Sequence, residues 1–134
     1  MRQFKTAAGD GRYKVESLTV LTGKDIVAIF GGGRKYHIGA CALATARQSL
    51  AQKNHTSASV SVLCLSGHQE DQLARMAALA LAAKYNCVVN VVVGLHLDQA
   101  TQEDIAQLVA NFNACLFLVE KSLDEYLEQK VQLP

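Results

Sequence analysis

Three of the four histidines in this 134-residue chain stand in polar turns that interrupt apolar runs: His37 in FGGGRKYHIG, His68 in SGHQED and His96 in GLHLD. Imidazole changes charge closest to neutral pH and its ring nitrogens ligate divalent metals. With Asp98 or Glu70 as an oxygen ligand, His37, His68 and His96 have the chemistry of a divalent-ion site. The competing reading makes each a hydrogen-bonded structural residue. Beside the first histidine, Gly32, Gly33 and Arg34 suit an anion, because glycine admits close backbone approach and the guanidinium adds charge. Ser66 and Gly67 open an expected helix whose unpaired N–H groups favour a phosphate. Glu70 and Asp71 in the same turn equally complement a helix start with no ligand, and they repel a phosphate unless a cation intervenes. The glycine spacing fits neither the P-loop nor the dinucleotide fingerprint, so a plain turn with solvated cations competes. No Gly-x-Ser-x-Gly, activated cysteine or acid–base carboxylate pair stands out, and the site looks equipped to hold rather than to transform.

What must position these residues is a set of strands. Residues 11–22 are β-compatible, Gly23-Lys24 offers a glycine-first II′ hairpin turn, and residues 25–30 form the return strand. Residues 38–46 are apolar on both faces and fit a buried strand better than a short helix, given the flanking glycines. Residues 48–57 read as a solvent loop and 58–65 as a strand. Residues 67–85 keep helical spacing with Ser66 as N-cap and Asn86 as breaker, residues 87–93 form a β-branched strand, and Thr101 opens a helix through about Glu128. The expected fold is thus α/β: one domain over residues 1–134, a sheet of about five mainly antiparallel strands and two helices, in the order βββ-β-α-β-α. Strand parity then carries His37, His68 and His96 to one rim and leaves His55 at the other.

Composition limits the alternatives. The net charge of +1 comes from interspersed signs, so neither a nucleic-acid nor a membrane-surface footprint is present. The start, MRQFKTAAGDGRYK, lacks an apolar signal core and the apolar runs are too short for a membrane span, which makes a cytoplasmic protein the expectation. Cys41, Cys64, Cys87 and Cys115 sit singly in apolar segments and read as reduced core residues, with pairing of two as the alternative. Tyr13, Tyr36 and Phe30 are near enough to the glycine run to stack on a planar ligand, although core packing suits Phe30 better.

At GGGRKYHIGACALA, SVLCLSGHQEDQLAR and VVVGLHLDQATQEDI, in that order, the chain resembles the LpdD-like prenylated-flavin chaperones associated with UbiD-type decarboxylases such as gallate decarboxylase. The resemblance spans residues 11–117. Members often carry proline before the first histidine, where this chain has Tyr36. The resemblance implies a non-catalytic protein that binds reduced prenylated FMN and delivers it to an apo-decarboxylase. It also implies a fold like that of small proteasome-assembly chaperones, and dimers. Carried onto this chain, it singles out His37 and Gly39, with Ile38 between them, then Gly67, His68 and Asp71, then His96 and Asp98. A metal-dependent enzyme with an open coordination position, and a protein-assembly chaperone without small ligand, are the other two expectations. A homodimer follows on physical grounds too, since one sheet with two helices leaves a face or an edge to cover.

Overall fold

A computed structural model describes residues 1–65 and 70–132. The chain runs β1 (Arg2–Ala8), a single 3-10 turn (Gly11–Tyr13), β2 (Val15–Thr22), β3 (Asp25–Gly33), β4 (Ala40–Gln48), β5 (Thr56–Cys64), α1 (Glu70–Tyr85), β6 (Val88–His96) and α2 (Gln102–Gln132). One sheet of six strands has the order β1-β2-β3-β6-β4-β5. The sheet therefore has one strand more than expected. The additional strand, β1, lies at the edge, where only Phe4, Thr6 and Ala8 are half-buried and no apolar run announces it. Four of the five pairings are antiparallel, and β3 with β6 is parallel.

The first four expected strands do not remain a meander. β6, returning from α1, inserts between β3 and β4, so the β3–β4 connection must step across the end of β6. The hairpin between β2 and β3 turns at Gly23-Lys24, where Gly23 has a φ of 64° and Lys24 has no positive φ, in keeping with a II′ turn. Asn86 ends α1 with a φ of 51°, the left-handed conformation that closes helices. The strand after it runs three residues past the expected end at Val93, so His96 belongs to the sheet rather than to a loop. Ser66 and the expected start of α1 at Gly67 lie outside the described residues.

Both helices cover one face. α1 packs over β4, β5 and β6, and α2 over β1, β2 and β3. Alternation delivers Val15, Ile26, Ala28, Phe30, Ala42, Val89, Val91 and Val93 to the helices, and Phe30 meets Phe112 of α2 at 4.7 Å between ring centroids. Core packing is thus the observed role of Phe30. Where the helices meet, the Tyr85 hydroxyl donates to Asp124 Oδ1 (2.8 Å) and Lys84 pairs with Asp124 (3.0 Å). Among the described residues the opposite sheet face carries no helix, and it exposes Ile29, Leu43, Leu63 and Val88. No disulfide joins Cys41, Cys87 or Cys115. Cys87 and Cys115 are core residues as expected, but Cys41 is only half-buried, because it alternates onto the sheet face away from the helices, and Cys64 is exposed at the end of the edge strand β5. Among the described residues no helix is long and apolar enough to cross a membrane.

Candidate functional site

Register gathers the sequence motifs at one rim. Gly33 at the end of β3 lies opposite His96 at the end of β6, Ala40 at the start of β4 lies opposite Val93, and Cys64 at the end of β5 lies opposite Ala40. Glu70 starts α1 at the same rim. His37 and His96 accordingly meet edge to face, with ring centroids 5.8 Å apart. His68 lies in residues 66–69, outside the described residues, together with Ser66 and Gly67. His55 is in the loop at the opposite rim.

The glycines of the first motif belong to β3, not to a loop, and two of their neighbouring amides are already engaged. Gly33 N–H donates to the Lys14 carbonyl (3.2 Å) and Arg34 N–H to the His96 carbonyl (2.9 Å). What approaches the backbone is the chain itself. A Cβ on Gly31 would lie 2.9 Å from the Tyr36 ring, and Gly33, with a φ of 79°, seats against the His96 carbonyl. The same logic applies to Gly94, whose Cβ would come within 1.6 Å of the His37 carbonyl oxygen. Residues 34–39 cross the end of β6 at this point, and only glycine beneath them leaves room. Sequence reasoning passed over Gly94, although a glycine inside a strand signals such an approach.

Glu70 is the second residue whose place sequence reading understated. Its side chain is buried on the rim, with Oε1 3.3 Å from His37 Nε2 and accepting from Leu95 N–H at 3.3 Å. A Cβ on Gly39 would sit 2.7 Å from the same carboxylate, so Gly39 makes the seat for Glu70. Glu70 rather than Asp98 is therefore the carboxylate beside His37. Asp98, almost wholly exposed, bonds His96 Nε2 at 2.8 Å and fixes that ring from the solvent side. Arg34 and Ile38 are exposed, Gly32 is buried against Leu95 and Val15, and Asp71 is half-buried in the first turn of α1. Among the described residues no group of three or more His, Cys, Asp or Glu side chains could hold a metal ion.

Two cavities flank the histidines. One of about 690 Å³ opens between the helices and is lined by Glu70, Asp71 and His96 with Leu73, Leu95, Leu97 and Ile105. The other, about 460 Å³, lies beside His37 and Tyr36 and is bordered by Lys5, Glu16 and Leu18. Both volumes are in the range of small-molecule sites, and the first combines apolar walls with a polar mouth. Tyr36 borders this second cavity, and burial first, then Glu16, keeps its hydroxyl protonated above the ordinary range. Tyr13 does not reach either histidine. Its hydroxyl donates instead to Asp104 (2.6 Å), so the stacking role expected for it is replaced by a joint to α2.

Comparisons with known proteins bear on the fold and the family. The chain matches a solved structure described as "a novel chaperone complex for yeast 20S proteasome assembly", with a TM-score of 0.58 and 14% identity over 91% of this chain and 97% of that one. That likeness is one of fold. A search among curated proteins finds no match. Residues 9–124 match the prenylated flavin chaperone LpdD-like domain, an interval that holds all three motifs and both helix starts. The chain therefore belongs to the LpdD-like prenylated flavin chaperone family and is a non-catalytic accessory protein of flavin handling.

Proposed function

We propose that the chain, acting as one domain, binds reduced prenylated FMN at the histidine rim and delivers it to an apo UbiD-type aromatic-acid decarboxylase in the cytoplasm. The observation that carries this reading is the meeting of His37, Glu70, Gly39 and His96 at one rim, where Glu70 and His96 line the cavity between the helices and His37 borders the other, since these residues come from three separate motifs. The apolar walls suit the ring system. The exposed Arg34 suits the phosphate, as does the helix start expected from the sequence at Ser66-Gly67, which lies outside the described residues. Anaerobic purification after co-expression with a flavin prenyltransferase tests it, with an absorption spectrum and mass spectrometry of the bound cofactor. A colourless protein under saturating cofactor overturns the reading. Mixing loaded protein with apo-decarboxylase then follows cofactor location, and transfer of unchanged cofactor is the expected outcome.

A divalent ion enters through the edge-to-face approach of His37 and His96. If these two share an ion with His68, chelator treatment before loading lowers binding by tens-fold, about 2 kcal/mol. Loading that survives the chelator assigns the histidines to the flavin directly.

The proposed protein is a homodimer whose contact is the helix-free sheet face. A two-layer α/β unit leaves one sheet face to water, and Ile29, Leu43, Leu63 and Val88 make this one apolar. Light scattering on wild type and Leu43→Lys checks the surface: the variant is monomeric, and a wild-type monomer at micromolar concentration removes the dimer while leaving flavin binding intact.

A further inference from the structure

The two sheet edges are built differently. At one edge, β1 carries Arg2 and Lys5, and the Arg2 guanidinium lies over the Phe4 and Tyr126 rings at 5.7 and 5.3 Å. Charge on an edge strand is a known deterrent to strand addition. At the other edge β5, TSASVSVLC, has no charge, no proline and an unbroken register against β4. Ala46 N–H donates to the Cys87 carbonyl, so the even-numbered residues of β4 bond toward β6 and the odd-numbered ones toward β5. The odd residues of β5 complete that ladder. Thr56, Ala58, Val60 and Val62 therefore aim N–H and C=O outward, and among the described residues no strand pairs with them.

We infer that this edge receives an extended segment of the client enzyme by strand addition, an inference that rests on the delivery function proposed above. Two features define the segment. Its middle is uncharged and β-branched, to match the alternating Ser and Val of β5. One end carries carboxylates, because the β4–β5 hairpin, residues 40–65, contains Arg47 and Lys53 and no acidic residue. A second copy of β5 has no carboxylate to set there, which favours the client over self-pairing. The other end of β5 reaches the histidine rim, where Leu65 N–H donates to the Gly39 carbonyl (2.9 Å). A strand laid along β5 thus brings the acceptor to the cargo.

The probe is a fluorescein-labelled peptide of about six alternating Thr and Val residues ending in Glu-Glu, which an antiparallel strand places beside the hairpin. Hydrogen exchange of the full chain should show protection at 56, 58, 60 and 62 on adding the peptide, and a Gln-Gln ending should weaken binding. Val60→Pro and Ala58→Pro remove only outward N–H groups, which edge strands tolerate, and should weaken the peptide by about tenfold or more. Apo UbiD-type decarboxylase should displace the peptide. Flavin loading, measured separately, is unchanged in both variants, so failure of loading in wild type is distinguishable from failure of docking. The proposal is overturned if no β5 amide gains protection, if protection falls on β1, or if decarboxylase leaves the peptide bound. Protection of β5 that rises with protein concentration alone assigns the edge to a second copy and overturns it as well.

Discussion

Glu70 and Asp104 make an instructive pair. Each is buried, each lies in the first turn of one of the two helices, and both sit at the same rim of the sheet. Asp104 is surrounded by fixed donors. Its Oδ1 accepts from Tyr13 and Arg12, both at 2.6 Å, and its Oδ2 from Thr101 N–H at 3.0 Å, while Asp104 N–H returns a bond to Thr101 Oγ1 at 3.1 Å. The Tyr13 hydroxyl above all, then the Thr101 amide, outweigh burial and hold this carboxyl down to about 2. It is a joint that clamps α2 to the turn before β2, helped by Asn111 Nδ2 donating to the Tyr13 carbonyl at 2.7 Å. Glu70 instead faces His37 at 3.3 Å, with His96 stacked beyond. A carboxylate saturated by arginine, tyrosine and its own helix cap has no further task, whereas one that shares a histidine beside a cavity is placed to orient that ring for the ligand proposed above.

The largest effect should come from the backbone beneath this second site. Gly94→Val drives a side chain into the His37 carbonyl, and neither backbone can yield, so a loss of about 3 kcal/mol or more and of all flavin loading is expected. Denaturant melts and cofactor titration measure both. If Gly94→Val loads normally, the crossing of residues 34–39 over β6 is not what shapes the site.

Next in size, Glu70→Gln and His37→Ala should each weaken flavin binding by about tenfold or more, since each removes one partner of the His37–Glu70 pair at the rim. Glu70→Gln should leave the melting temperature close to wild type. The converse result, a large stability loss with normal binding, would make Glu70 a second structural joint and erase the contrast with Asp104.

Tyr13→Phe should do the reverse, costing about 1.5 kcal/mol of stability through loss of one bond to a charged acceptor while leaving loading unchanged. The pH profile sharpens this. The folded-state value of Asp104, about 2, lies below its ordinary 3.8, so its contribution is present above about pH 4 and is lost as pH falls toward 2. Asp104→Asn should flatten the stability profile across that window, read by chemical melts at stepped pH. His55→Ala, at the far rim, should change stability by less than about 0.5 kcal/mol and leave binding untouched.

Much of this was written in local pattern. Alternation in β2, β3 and β6, glycine-first chemistry at Gly23, the T-x-x-D cap at Thr101 and the left-handed stop at Asn86 are properties of neighbouring residues, and parity alone brought His37 and His96 to one rim. The family motifs were legible because they are linear. Three matters were decided only in three dimensions. The insertion of β6 between β3 and β4 depends on pairing partners far apart in sequence, which no local signal specifies. β1 became a strand because α2 supplied a surface for Phe4, with Tyr126 5.6 Å away. The triple glycine, whose sequence suggested an open cradle for an anion, serves the chain's own close passage, because the inserted strand forces Tyr36 and His37 back across the sheet end. Sequence specified residue types and strand directions. Tertiary packing decided which backbone passed over which, and so turned a glycine run and two distant carboxylates into one joint and one site.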